Sequence, residues 1–202
     1  MARPKNQALR RGELVAATSR LLIERGAAGA RLTDIAEAAG LTPASVSYYY
    51  PDLVELYAET HQTAAIEYIT GRRARVEART GPEQRMRECL RLGIPMEGEP
   101  SFDATVLLIE LGALSTRNHG FDAAADEFER AQVELFEQLV DEGVAAGLYT
   151  PATSTAHVAR TLLAIEDGLA LSVIRGRLAP HDALELISDA ASALLRHRIG
   201  TD

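Results

Sequence analysis

The 202-residue chain reads as an all-α protein of about nine helices, a small three-helix module followed by a larger helical body. Three observations lead to that class. Apolar side chains recur three, four and seven positions apart through almost every segment, the spacing of one face of a helix. Gly, Pro, Thr and Asp punctuate those segments where helices start and stop. With 47% hydrophobic residues, the chain can build one compact core and an appended module. No internal repeat and no low-complexity tract interrupts the pattern.

The first helix is predicted over residues 9–25, where Leu14, Val15, Leu21 and Leu22 form a stripe with charge on the other face, and Gly26 ends it. A short second helix covers about 32–39, closed by Gly40 in a left-handed conformation. A third covers about 43–49, with Thr42 as its cap and Pro43 in the first turn, where a missing N–H costs nothing. Pro51 breaks the chain, and Asp52 caps a long fourth helix that runs through the seventies until Thr80, Gly81 and Pro82. A fifth covers about 82–92 and is followed by a Gly- and Pro-rich loop over 93–100. The sixth covers 102–116. The seventh, over 121–147, carries Phe121, Ala125, Phe128, Leu135, Leu139 and Val140 on one face. The eighth, about 154–175, bears Val158, Leu162, Ile165, Leu169 and Val173. The ninth, about 180–197, bears Leu184, Ile187, Ala191, Leu194 and Leu195.

Charge is divided unevenly along this frame. The whole chain carries a formal −8 and a pI near 5.2, a balance that by itself argues against a polyanionic partner. Residues 1–50, however, hold seven basic side chains (Arg3, Lys5, Arg10, Arg11, Arg20, Arg25, Arg31) against four acidic ones (Glu13, Glu24, Asp34, Glu37), a local +3 that leaves −11 to the rest. Such asymmetry points to a small module facing a polyanion and a body with another task. Arg3 and Lys5 read equally as a DNA-contacting arm or a solubilising tail. Arg72, Arg73 and Arg75 form a second basic run, expected on a solvated helix face. A single cysteine, Cys89, fits a reducing compartment, so a cytoplasmic location is expected. The apolar run 106–114 is broken by Glu110 and Gly112, and the N-terminus has no apolar leader; neither secretion nor membrane association is expected.

Functional information concentrates in residues 32–50, LTDIAEAAGLTPASVSYYY. Two short helices that cross steeply need a small residue at their contact, a glycine in the turn, and apolar side chains toward the first helix. Ala36, Gly40 and the set Ile35, Leu41 and Val46 supply these. The pattern predicts a helix-turn-helix whose second helix enters the major groove with its N-terminal residues near base edges. Ser45, Ser47, Tyr48 and Tyr49 then face outward, while Tyr50, adjoining the fourth helix, is expected in the core. This surface offers hydroxyls, a proline ring and an alanine methyl, with no Arg, Asn or Gln for a bidentate base contact. Readout therefore leans on methyl contacts, water and DNA shape.

These residues resemble the TetR family of transcriptional regulators, on Arg25-Gly26, on 32–41, and on Tyr48-Tyr49-Tyr50-Pro51-Asp52-Leu53; a looser likeness continues through Gly147-Leu148 and Asp167-Gly168-Leu169. The resemblance implies a DNA-binding domain over 1–51 and an effector-binding and dimerization domain over 52–202. It implies a homodimer on a double-stranded, near-palindromic operator, with DNA contacts from Thr33, Thr42, Pro43, Ala44, Ser45, Ser47, Tyr48 and Tyr49, joined by Lys5 and Arg10. Three departures stand out: Arg31, Ala44 and Leu53 occupy positions where the family often has a Thr cap, a Gly and a phosphate-binding Lys. Fewer phosphate contacts at the fourth helix put more weight on Tyr48, Tyr49 and the arm around Lys5 and Arg10.

For the body, the resemblance implies dimer contacts on the eighth and ninth helices, with Leu162, Leu169, Leu184, Ile187, Leu194 and Leu195 shared between that contact and the protomer's own core. It also implies a cavity among helices four to eight for a small effector. By helix position its lining comprises Tyr68, Met86, Leu90, Phe102, Leu107, Glu110, Leu111, Asn118, Phe128 and Ile165. Glu110 either orients a ligand or points to water, since a carboxylate among apolar neighbours must be paired or hydrated.

Catalysis is the competing class. The five histidines show no zinc-binding spacing, and no glycine-rich phosphate loop or nucleophile elbow is present. His157 and Glu166, nine positions apart, read as core or surface. No enzyme activity, metal or cofactor is expected. The alternative is a helical small-molecule binding protein or enzyme whose reading head is no longer used, for which Ala44 and Leu53 are the supporting features.

Overall fold

The computed structural model describes residues 3–26, 29–115 and 119–201. Among them are nine helices: α1 (Arg3–Arg25), α2 (Leu32–Ala38), α3 (Pro43–Tyr49), α4 (Leu53–Glu77), α5 (Pro82–Gly93), α6 (Pro100–Ser115), α7 (His119–Ala145), α8 (Thr155–Ile174) and α9 (Pro180–Leu195). The all-α expectation is met, and the first helix starts earlier than its apolar stripe. Gln7 and Ala8 are exposed and lengthen the helix without adding core, and Pro4 stands in the first turn, where an N–H has no intrahelical partner.

Two compact units are formed. The first comprises Met1–Ile66 with Val106–Glu127, the second Glu67–Thr105 with Phe128–Asp202. In the first, α1 packs on α2 and α3 around Leu14, Val15, Leu21, Ile35, Ala36, Val46, Tyr50 and Leu56. In the second, α8 packs on α9 and both pack on α5, around a core that includes Met86, Leu90, Phe136, Leu139, Val158, Leu162, Ile187 and Leu195.

Two glycines in the second unit, Gly143 and Gly93, are required by close approach. A Cβ on Gly143 would lie 1.9 Å from the Tyr149 ring. Tyr149 is thereby seated against the end of α7 and buried, and the chain returns along α9 with the Thr150 N–H donating to the Leu195 carbonyl at 3.0 Å.

The basic run on α4 is not the solvated face expected of it. Arg75 is exposed and Arg73 is half-buried, donating to the Ala131 carbonyl at 3.2 Å, but Arg72 is 1% exposed. Its guanidinium donates to both Glu166 oxygens at 2.8 and 2.5 Å, to Gln132 Oε1 at 3.1 Å and to the Cys89 carbonyl at 2.8 Å. Glu166 reaches this position because residue 93 is glycine: a Cβ there would sit 1.9 Å from its Oε2. Four helices of the second unit thus meet at one buried ion pair.

Candidate nucleic-acid interface

The turn between α2 and α3 is built from backbone rules that the sequence states locally. Gly40 takes φ +64°. The Leu41 N–H then donates to the Ala36 carbonyl at 2.8 Å and the Gly40 N–H to the Glu37 carbonyl at 3.0 Å, a Schellman closure. Thr42 caps α3: its Oγ1 accepts from the Ser45 N–H at 3.2 Å and lies 2.9 Å from the Ser45 hydroxyl, with Pro43 in the first turn. At the start of α2, Arg31 supplies half of a capping box. Its N–H donates to the Asp34 carboxylate at 3.0 Å, but a guanidinium has no acceptor to return the bond.

Burial then sorts the side chains of α3. Val46 and Tyr50 are in the core, the latter as expected, and burial pushes its phenol pKa upward. Thr33, Thr42, Pro43, Ala44, Ser47 and Tyr48 are exposed; Ser45 and Tyr49 are half-buried. Tyr48 is 71% exposed, and its ring meets that of Tyr49 edge-on at 5.3 Å. The helix therefore presents small polar and methyl groups at one end and two phenols at the other. Arg10 is exposed and paired with Glu13 at 2.6 Å; the side chain of Lys5 lies outside the described set.

Arg11, counted in the sequence only as part of the basic N-terminus, has a different place. Its Nε donates to Glu59 Oε2 at 3.2 Å, its Nη2 donates to the same oxygen, and its Nη1 donates to the Tyr49 carbonyl at 3.2 Å. The guanidinium stacks 4.2 Å above the Tyr50 ring. The bond to Glu59 raises its already high pKa further, against the opposing effect of burial. No local pattern announces this residue, because its partners lie 38 and 48 positions away.

The ten residues expected to line an effector cavity are spread over both units. Leu107, Glu110 and Leu111 lie in the first; Tyr68, Met86, Leu90, Phe102, Phe128 and Ile165 lie in the second; Asn118 is outside the described residues. In the second unit Tyr68 and Phe128 meet edge-on at 5.8 Å, and Met86, Leu90 and Ile165 join one apolar cluster. Glu110 is half-buried beside Gly26, its Oε2 3.5 Å from where a Cβ on that glycine would be. A hollow of about 250 Å³ between α1 and α2 and one of about 300 Å³ between α5 and α9 contain none of the ten.

Of the six leucine and isoleucine positions expected at a dimer contact, three need correction. Leu162, Ile187 and Leu195 are completely buried in the protomer's own core and have no surface left for a partner. Leu169, Leu184 and Leu194 remain partly exposed. Leu186, which the periodic reading passed over, is 52% exposed on α9. Among the described residues no cluster of three His, Cys, Asp or Glu is placed to hold a metal, and no helix is long and apolar enough to cross a membrane.

A capped helix joined to α2 by a Schellman turn and packed on α1 defines a helix-turn-helix protein, and comparison with known proteins gives its family. Residues 14–60 match the bacterial regulatory proteins of the tetR family, and residues 82–196 match the C-terminal part of BetI-type transcriptional repressors. The chain belongs to the TetR family and is a DNA-binding transcriptional regulator. No curated protein matches it. Solved structures share the fold at low identity. A transcriptional regulator from Saccharomonospora viridis in complex with choline is 18% identical, with a TM-score of 0.82 over 90% of this chain and 95% of that one. A TetR regulator from Haloarcula marismortui is 23% identical, with a TM-score of 0.76 over 94% and 97%. AibR, solved with isovaleryl coenzyme A and operator DNA, is 19% identical, with a TM-score of 0.66 over 92% and 98%.

Proposed function

We propose that the chain is a homodimeric repressor that occupies a near-palindromic operator when free of effector and leaves it when a small apolar or amphipathic molecule binds in the helical body. In this reading residues 1–51 read DNA and residues 52–202 bind the effector and the second protomer. The observation that carries the reading is the outward face of α3. Tyr48, 71% exposed on a capped helix, keeps a large aromatic ring in water, and its hydroxyl is suited to a phosphate oxygen. Pro43, Ala44, Ser45 and Ser47 face bases from the same helix, Thr33 and Thr42 approach the backbone from the two helix starts, and Lys5 and Arg10 add phosphate contacts from α1.

The choline complex of the S. viridis regulator and the coenzyme A thioester complex of AibR support a small-molecule effector for this fold. Release requires that the effector prefer the conformation that does not fit DNA; affinity alone shifts nothing. The test is selection of duplexes from a random pool at moderate salt, with wild type beside a Tyr48→Ala, Tyr49→Ala variant. The expected result is a two-fold symmetric sequence that wild type enriches and the variant loses. If neither protein enriches a sequence and both bind weakly and alike, the reading is wrong.

A further inference from the structure

The guanidinium of Arg11 is committed in three directions at once. Its Nε and Nη2 hold Glu59 of α4, its Nη1 holds the carbonyl of Tyr49, the last residue of α3, and its face covers Tyr50. A helix of seven residues is too short to persist by its own hydrogen bonds, so its placement comes from tertiary ties. On the inner side those ties are Val46 and Tyr50. At the C-terminal end the last carbonyls have no intrahelical donor, and a cation there satisfies one of them and complements the helix dipole.

We infer that Arg11 is a positioning residue for the recognition helix, with Glu59 as the group that orients it, and that it is not one of the phosphate contacts its place in the basic N-terminus would suggest. Through the Tyr49 carbonyl it sets where the exposed face bearing Ser47, Tyr48 and Tyr49 stands relative to α1 and α4. Three of its five N–H groups and one face of the guanidinium are engaged by Glu59, Tyr49 and Tyr50, so Arg11 is held in place and cannot swing out to a phosphate without giving up some of these ties. The inference rests on the assignment of α3 as the DNA-reading helix.

Three variants separate the two roles: Arg11→Gln, Arg11→Lys and Glu59→Gln. Each is measured for amide hydrogen exchange over residues 43–52 without DNA. Each is also measured for binding to the duplex enriched by wild type and to a random duplex of equal length across a range of salt. Positioning predicts that all three variants speed exchange at Val46 to Tyr50 and lower the preference for the enriched duplex about tenfold, the loss of one charge-assisted hydrogen bond. The slope of log affinity against log salt stays unchanged. Lysine fails with glutamine because an ammonium lacks the planar fork that bonds Glu59 through two N–H groups and the Tyr49 carbonyl through a third while stacking on Tyr50. A phosphate contact predicts the opposite: the slope falls by roughly 0.9 in Arg11→Gln, lysine rescues it, and Glu59→Gln binds DNA as well as wild type or better. That pattern, or unchanged exchange in all three variants, overturns the inference. If wild type itself enriches no duplex, the DNA-reading assignment fails while faster exchange in all three variants still assigns Arg11 its positioning role.

Discussion

Arg72 and Glu166 place two formal charges in the core of the second unit, an arrangement with a steep dependence on its own completeness. Taking both ions out of water costs several kcal/mol each, and their attraction returns that only while the fork is filled by Glu166, Gln132 and Cys89. Removing one partner strands the other. Arg72→Met is therefore expected to lose about 3–5 kcal/mol of stability in denaturant melts, whereas Arg72→Met with Glu166→Leu recovers most of that loss. Gly93→Ala should behave like a broken pair, since its Cβ would fall 1.9 Å from Glu166 Oε2 and push the carboxylate off the guanidinium. A double variant as unstable as the single one would mean that the pair contributes packing and not charge compensation. Part of this was legible in the sequence. Ala65, Ile69, Arg72 and Val76 share one stripe of α4, and Leu162, Glu166, Ala170 and Val173 share one of α8, so each charge interrupts an apolar face. The pairing itself was not legible, because it joins positions 94 apart in the chain. Arg11 escaped the sequence reading for the same reason.

At the scale of elements, the helix-turn-helix was readable because every signal that makes it is local. Gly40, Thr42, Pro43 and Asp52 each act on backbone groups within four residues of themselves, and each stands where the sequence reading put it: the Thr42 cap is formed, and Asp52 Oδ1 accepts from the Val54 N–H at 2.9 Å at the start of α4. The dimer positions were harder, because helical period identifies an apolar face without saying which neighbour covers it; Leu162, Ile187 and Leu195 are covered within the protomer. The local signals have separable energies. A Cβ on Gly40 meets nothing within 4 Å, so the cost of Gly40→Ala is conformational and should be about 1–2 kcal/mol. Gly40→Asn, which tolerates the left-handed region, should retain most of the stability. Thr42→Ala removes the Ser45 bond and should cost about 1 kcal/mol. Thermal melts of the three proteins check this order, and a Gly40→Asn protein as unstable as Gly40→Ala would show that something other than φ demands glycine there.

At the scale of the whole molecule, a chain of net charge −8 must hold a polyanion through a module of only +3. A single seven-residue helix without a bidentate base-reading side chain contacts few base pairs, so joining two modules multiplies contacts without making either one more basic. In the proposed homodimer, the surface for that joining is the side of α8 and α9 that the protomer leaves in water. On α9 the exposed positions Asp182, Glu185, Leu186, Asp189 and Ala193 follow helical spacing, an apolar centre edged by acids. Facing two such stripes against each other would set acid against acid, whereas α8 offers exposed Ala164 and Gly168 for close approach, with Arg175 and Arg177 just beyond its end. The expected contact therefore runs from α9 of one protomer to α8 of its partner, with Leu186 near its centre. Leu186→Glu should convert a sedimenting dimer to a monomer while leaving the helical content unchanged. It should weaken binding to the full two-fold duplex far more than to one half of it, because only the full site profits from the second module. If the variant stays dimeric, the joining surface lies elsewhere. If it becomes monomeric and binds the full duplex as tightly as wild type, dimerization is not what overcomes the unfavourable charge of the body.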